Sequence, residues 1–334
     1  MSTGEKVLVI VLAETRAHEH TFQCFRENVL DVFSADLCLC VAESEFEDTN
    51  NPFYQHAKYI WTCPEHEDWG NAFDKAQREQ GTEAPWRKLL AVGDQWLGGV
   101  KGVGQQPGSA AILLFFRWFL RQCLLETDVL HEYDRFIITR SDFMHCIPHV
   151  PLRLLEENSI WVPYGEDYGG YTDRHIVVHR RDVLNVLSIT DFMLSEPEQI
   201  AQEMSHFNHW NLERFIKFSF TRQGLAERIK RYPYSMYAVR KCGGRTRWST
   251  GKFDRHLGYY VKYRSEYKRF LRVQRYIRKE SDWNMKTMHV LNGQEDADLR
   301  YMQRRNSWNR LRKDLVLSAR QANRKLFSYL KKSA

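Results

Sequence analysis

The chain has 334 residues, 43% apolar and 27% charged, which suits one large α/β domain with an appendage, or two modest domains. Its seven cysteines are odd in number and irregularly spaced, a pattern that excludes a secreted disulfide framework and fits reduced thiols. The net charge of +7 belongs to the tail: residues 263–334 hold 19 Lys and Arg against 7 Asp and Glu, and the remainder holds 30 against 35.

The first apolar run is Val7-Leu8-Val9-Ile10-Val11-Leu12-Ala13. No small-residue cleavage site follows it, and it is far short of the roughly 20 residues of a membrane helix. It is expected to be a buried first strand of a cytoplasmic protein. A polar loop, Glu14 to His20, leads to a helical pattern carrying Phe22, Phe25, Val29, Leu30 and Phe33, then to a second strand over Ala35–Ala42. Strand, helix and strand within about forty residues read as a βαβ unit of a parallel sheet. Cys38 and Cys40 share one face of that second strand as small buried hydrophobes. Tyr59-Ile60-Trp61-Thr62 is a third strand, ended by Pro64.

Residues 64–108 are loop-rich. Their glycines match neither a Walker loop nor a GxGxxG fingerprint, because Lys101 is not followed by Ser or Thr and no strand-turn-helix frames them. Ser109 is expected to cap a buried helix, AAILLFFRWFLRQCLLE. Tyr133 to Arg140 reads as a central strand with Ser141 and Asp142 at its carboxyl end, where the ligand crevice of an open α/β sheet lies. Ser159 to Pro163 is another strand, followed by Gly165-Glu166-Asp167-Tyr168-Gly169-Gly170-Tyr171-Thr172-Asp173-Arg174-His175 and a short strand over Ile176–Val178. His145 and His149 have metal-like spacing, but Pro148 between them prevents one helix face from presenting both rings, so ordinary loop histidines are expected.

The strongest constellation is Arg140, Ser141 and Asp142 after one strand, with Glu166, Asp167, Asp173, Arg174 and His175 after the next. Adjacent strands would deliver both sets to one crevice. Carboxylates beside arginines suit a phosphorylated donor. A carboxylate can hold Mg²⁺ or Mn²⁺ against a diphosphate, guanidinium groups can neutralise the leaving phosphate, and a second carboxylate can take an acceptor's proton. Each residue taken singly also fits a loop cap or a surface ion pair.

The segment YDRFIITRSDF resembles the strand-end motif of microbial and viral cell-surface polysaccharide glycosyltransferases, in which an Arg-x-Asp variant stands for Asp-x-Asp. WVPYGEDYGGYTDRHIVVHRRDV is similar to that family's Gly-rich segment, and TRAHEHTFQCFRENVL to its first nucleotide-contacting loop and helix. The resemblance covers roughly residues 6–190, with looser echoes in HWNLERFIKFSF and RTRWSTGKF. It implies a GT-A-like, Rossmann-type α/β fold with a mainly parallel sheet flanked by helices, over 1–262, followed by a basic helical extension over 263–334. It implies donor contacts from Arg16, Arg140, Ser141, Asp142 and Arg174, with Asp142 as the metal or donor-sugar residue. Asp173 becomes the candidate base, with Asp167, which resembles an x-Glu-Asp motif, ranked below it; Glu166 and His175 fall to the acceptor. The motif carries only one carboxylate, so Mn²⁺ or Mg²⁺ dependence stays open.

The expected function is transfer of a sugar from a nucleotide-sugar donor to a hydroxyl of a growing glycan or lipid-linked glycan. The tail reads as an amphipathic helix packed on the catalytic body or as a peripheral contact with an anionic membrane. No nucleic acid partner is expected, because the body is acidic and no binding module appears. The rival reading is a non-catalytic membrane- or RNA-binding adaptor that uses the basic helices.

Overall fold

A computed structural model describes residues 4–45, 50–92, 96–101, 108–207, 209–241, 249–298 and 300. Two compact units divide the chain, Met1–Met285 and Lys286–Ala334. In the second unit, residues 286–298 are helical, and the apolar stripe expected from Trp308 to Leu330 lies outside the described residues.

The first unit is built on a seven-stranded sheet. Its strands are β1 (Val7–Ala13), β2 (Asp36–Ala42), β3 (Ala57–Cys63) and β4 (Arg135–Thr139). A second sheet begins with β5 (Phe143–Met144); β6 (Ile160–Pro163), β7 (Ile176–His179) and β8 (Ile229–Tyr232) return to the first. The order is β3-β2-β1-β4-β7-β6-β8. Strand β1 is a run of β-branched and leucine side chains buried on both faces, as a central parallel strand requires. It pairs in parallel with β2 on one side and with β4 on the other. The chain therefore changes direction between β1 and β4, and the carboxyl ends of those strands form the switch point of the sheet. The expected mainly parallel α/β sheet flanked by helices is the fold observed.

One expectation is corrected. The Ser159–Pro163 strand does not lie directly beside the Tyr133–Arg140 strand: β7 intervenes, antiparallel to both β4 and β6. Ile176 faces Ile138, so the residues just before β7 meet the carboxyl end of β4. Antiparallel insertion, not side-by-side parallel strands, brings the two polar sets together.

The Ala110–Glu126 helix covers one face of the sheet and buries Leu114, Phe115, Phe116, Trp118, Leu120 and Leu124. Its breadth of apolar surface matches a helix packed on several sides: β1, β2 and β3 on one, the Arg180–Leu187 and Ile189–Ser195 helices on the others. Ser109 stands at its start, but contrary to expectation its hydroxyl makes no capping hydrogen bond. Burial pushes the thiols of Cys38 and Cys40 well above their usual range, so both behave as small hydrophobes.

The second sheet runs β10-β11-β9-β5, with β9 (Tyr237–Arg240), β10 (Lys252–Asp254) and β11 (Tyr259–Val261). Phe143 in β5 faces Ala238 in β9, and Val239 N–H donates to the Asp142 carbonyl at 2.9 Å. This small sheet thus starts at the strand end that carries Asp142. The Arg264–Glu280 helix, basic on its outer face, buries Glu266, Phe270, Val273 and Ile277 and belongs to the first unit. Tyr237 packs between Tyr267 and Phe270 at ring separations of 4.8 and 4.9 Å.

Candidate active site

Two adjoining cavities open at the switch point. The smaller, about 130 Å³, lies over the ends of β1 and β4 and is lined by Ala13, Glu14, Arg16, Ser141, Asp142 and Arg240 among others. The larger, about 260 Å³, is lined by Tyr168, Asp173, Arg174, Asn211, Glu213 and Tyr263 among others. Ser109, Leu113, Arg140 and Lys262 line both, so the two are lobes of one cleft. The first turn of the Ala110–Glu126 helix stands at this junction and brings its positive dipole end there, although Ala111 N–H already donates to the Gly98 carbonyl at 3.0 Å.

Asp142 is buried and anchors a cationic cluster. Arg140 donates to both of its carboxylate oxygens, at 3.0 and 2.9 Å, and Arg240 donates to Oδ2. Burial alone would raise its pKa; the charges of Arg140 and Arg240 outweigh that and hold it well below the usual carboxylate range. Lys262 adds a third cation. It is 8% exposed, and its ammonium group makes no hydrogen bond or ion pair among the described residues, lying 4.7 Å over the Tyr263 ring. Burial, then the charges of Arg174, Arg140 and Arg240, push its pKa down to about 7.

The larger lobe carries the carboxyl groups of Asp173 and Glu213 beside Arg140, Arg174 and Lys262. The Arg174 guanidinium is tied to buried Glu266 and lies 3.8 Å from Glu166 and 3.9 Å from Asp173. Arg117, buried in the long helix, donates to the Asp173 carbonyl at 2.6 Å and fixes the backbone there. Glu213 opens the Leu212–Arg222 helix; burial, then the charge of Asp173, push its pKa up to about 8. A carboxyl that is neutral in the folded chain and ionised in the unfolded one weakens folding as pH rises from about 4 to 8. Replacing Glu213 by Gln is therefore expected to raise stability by roughly 2 kcal/mol above pH 8 and to leave it unchanged below pH 4. Denaturant titrations at pH 4 and 8.5 measure the difference.

The structure brings Arg16, Arg140, Ser141, Asp142, Asp173 and Arg174 into this cleft, with Glu166 behind Arg174. Ser141 also ties the strands together, its hydroxyl donating toward the Glu14 and Arg16 carbonyls at 2.8 and 3.1 Å. Two candidates lie elsewhere. Asp167 pairs with Arg231 at 2.8 Å and accepts from Thr172 N–H, which folds its own loop; it lines neither lobe. His175 is buried, its Nδ1 2.8 Å from Thr139 Oγ1 and its Nε2 3.1 Å from His149 Nε2, and it too lines neither lobe. His145 and His149 lie in irregular chain as expected, but they are buried, and burial holds their pKa values at about 3 and 4. Arg240, Lys262 and Glu213 carry no motif pointing to them, except that Glu213 sits in HWNLERFIKFSF.

The donor set does not fit a protein-held divalent ion. Both Asp142 oxygens accept from guanidinium groups, and among the described residues no three His, Cys, Asp or Glu side chains converge as a metal site. Among the described residues, no helix is long and apolar enough to cross a membrane.

No protein-family model matches the chain, and no curated protein matches it. Among solved structures it is similar to mouse xyloside xylosyltransferase 1 in its apo form, with 11% identity and a TM-score of 0.38. The likeness covers 69% of this chain and 86% of that one. So distant a likeness assigns no activity to the cleft.

Proposed function

We propose that the chain is a glycosyltransferase that moves a sugar from a nucleotide diphosphate to a glycan hydroxyl. The observation that carries this is the Lys262 ammonium, buried with no hydrogen bond or ion pair among the described residues, at the junction of a strand-end lobe and a lobe that carries Asp173 and Glu213. The carboxylates whose charge reaches Lys262, Asp142 and Glu266, are already engaged by arginines, so its buried ammonium is costly and a diphosphate at the junction supplies a further counter-charge. The nucleoside then occupies the strand-end lobe, as ligands do at the switch point of an open sheet.

The sugar faces the larger lobe. There Asp173 receives the proton of the attacking hydroxyl, and Glu213, neutral at pH 7, donates a hydrogen bond to a sugar or acceptor oxygen. Arg140, Arg240 and Lys262 neutralise the departing diphosphate, so the protein's own cations do what a metal does elsewhere. The resemblance of YDRFIITRSDF and the Gly-rich segment suggests a growing cell-surface glycan as acceptor. The basic residues of 263–334 suit a peripheral position on an anionic leaflet, where a lipid-linked acceptor is presented.

Incubation with a panel of nucleotide sugars tests the proposal. One donor is expected to release its nucleoside diphosphate, at a rate that EDTA changes by less than about twofold, since the phosphate ligands are side chains. If no donor turns over and none raises the melting temperature, with or without Mn²⁺ or Mg²⁺, the proposal fails.

A further inference from the structure

The loop between β6 and β7 bends through four positive φ angles in five residues: 97° at Gly165, 53° at Glu166, 43° at Tyr168 and 92° at Gly169. Two of these residues are not glycine. Left-handed backbone is disfavoured for a side chain as large as tyrosine, so it persists only where the surroundings impose it. Here they do. Asn211 Nδ2 donates to the Tyr168 carbonyl at 3.1 Å and Arg214 Nε at 3.4 Å. A Cβ on Gly169 would meet Arg214 Nε at 2.7 Å, and one on Gly170 would meet the Glu213 carbonyl oxygen at 1.8 Å. The loop is thus clamped onto the start of the Leu212–Arg222 helix.

The result of that clamping is an aromatic ring left 48% exposed at the wall of the larger lobe. Its hydroxyl donates to the Glu166 carboxylate. Glycine at this position would relieve the backbone and expose no apolar surface. Holding a tyrosine there is unfavourable on both counts, and such local conflicts collect at ligand-binding sites.

We infer that Tyr168 is a stacking platform for a pyranose ring of the acceptor, and so helps to set acceptor specificity. This rests on the proposed glycosyltransferase reading and names how one substrate is held. Asp173 and Glu213 line the same lobe as the ring, Glu166 accepts from its hydroxyl, and such carboxyl groups suit the hydroxyls of a sugar. A sugar's C–H face can cover an aromatic ring while its edge forms those hydrogen bonds. A nucleobase offers no comparable set of hydroxyl donors; Arg16 and Arg240 line only the other lobe and Arg140 lines both, while Arg174, beside the ring's lobe, is tied to Glu266.

The test uses the full chain and a panel of methyl pyranosides at millimolar concentration, read by saturation-transfer NMR on the sugar C–H protons. Wild type and Tyr168→Phe are expected to bind at least one glycoside with affinities within about twofold of each other, because the ring carries the contact. Tyr168→Gly is expected to bind it about tenfold more weakly, while its melting temperature stays level or rises by about 2 °C as strain is released. Its affinity for a nucleoside diphosphate should not change. Equal glycoside binding by Tyr168→Gly, a melting temperature that falls with binding, or no glycoside bound by wild type would each overturn the inference. A loss of nucleoside diphosphate affinity in Tyr168→Gly would overturn it too, by assigning the ring to the base. If wild type binds no nucleoside diphosphate at all, the glycosyltransferase reading itself has failed; if it does, only the role of Tyr168 is lost.

Discussion

Replacing Asp142 by Asn is expected to destabilise the protein by about 3 to 5 kcal/mol, lowering its melting temperature by about 10 °C. The carboxylate is buried and is the shared counter-ion of Arg140 and Arg240. Its removal leaves two guanidinium groups and Lys262 facing one another with no negative charge between them. The pH dependence follows from the depressed pKa. Asp142 contributes its stability fully above the unfolded carboxyl's value of about 4 and loses it as pH falls further, so wild type and variant converge in acid. The variant also separates two roles for this residue. If Asp142 orders the arginines, a nucleoside diphosphate can serve as the missing counter-ion, and it should stabilise the variant more than the wild type. If Asp142 held a metal, diphosphate binding would disappear with the carboxylate. Thermal denaturation of both proteins with and without the nucleotide distinguishes the outcomes.

Lys262→Met is expected to weaken nucleoside diphosphate binding by about 10- to 100-fold at pH 6.5, the loss of one charge-assisted contact in a buried site. The pH profile is the more telling result. In the free protein Lys262 is half charged near pH 7, and a bound dianion favours its ammonium form. Binding above pH 7 therefore takes up a proton, and wild-type affinity falls as pH rises from 7 to 9. The Met variant has no such slope. Free-protein stability runs the other way: the charged lysine disfavours folding below pH 7, and this cost fades as pH approaches the unfolded value near 10.4. The variant should thus be the more stable protein at pH 6 and lose that advantage in alkali. Calorimetry in two buffers of different ionisation enthalpy measures the proton directly. Superimposable profiles for wild type and variant would remove Lys262 from the phosphate site.

The parts of the fold legible in the sequence are those dictated by local pattern. Val7 to Ala13 and Asp36 to Ala42 are β-branched or apolar almost throughout, and they lie where two-sided burial demands such runs. Arg140, Ser141 and Asp142 are legible at the crevice because a strand's carboxyl end follows from the strand itself. The illegible parts are long-range. Arg240 reaches Asp142 across 98 positions through a sheet whose strands are three or four residues long in β9, β10 and β11, too short to show an alternation. Lys262 follows the same sheet, its N–H bonded to the Ala238 carbonyl. The direction of β7 is equally hidden, since four apolar-rich residues look alike in either orientation. Asp167 ranks below Asp173 in sequence and His175 falls to the acceptor, but nothing local shows the partners that take them away from the lobes, Arg231 for one and His149 for the other.

The most direct measurement is a crystal structure of the protein grown with the nucleoside diphosphate that most raises its melting temperature. Phosphate density bridging Arg140, Arg240 and Lys262, with the base over the ends of β1 and β4, is the expected result. Phosphates bound at any other surface, with Lys262 still unpaired, would contradict the assignment of this cleft.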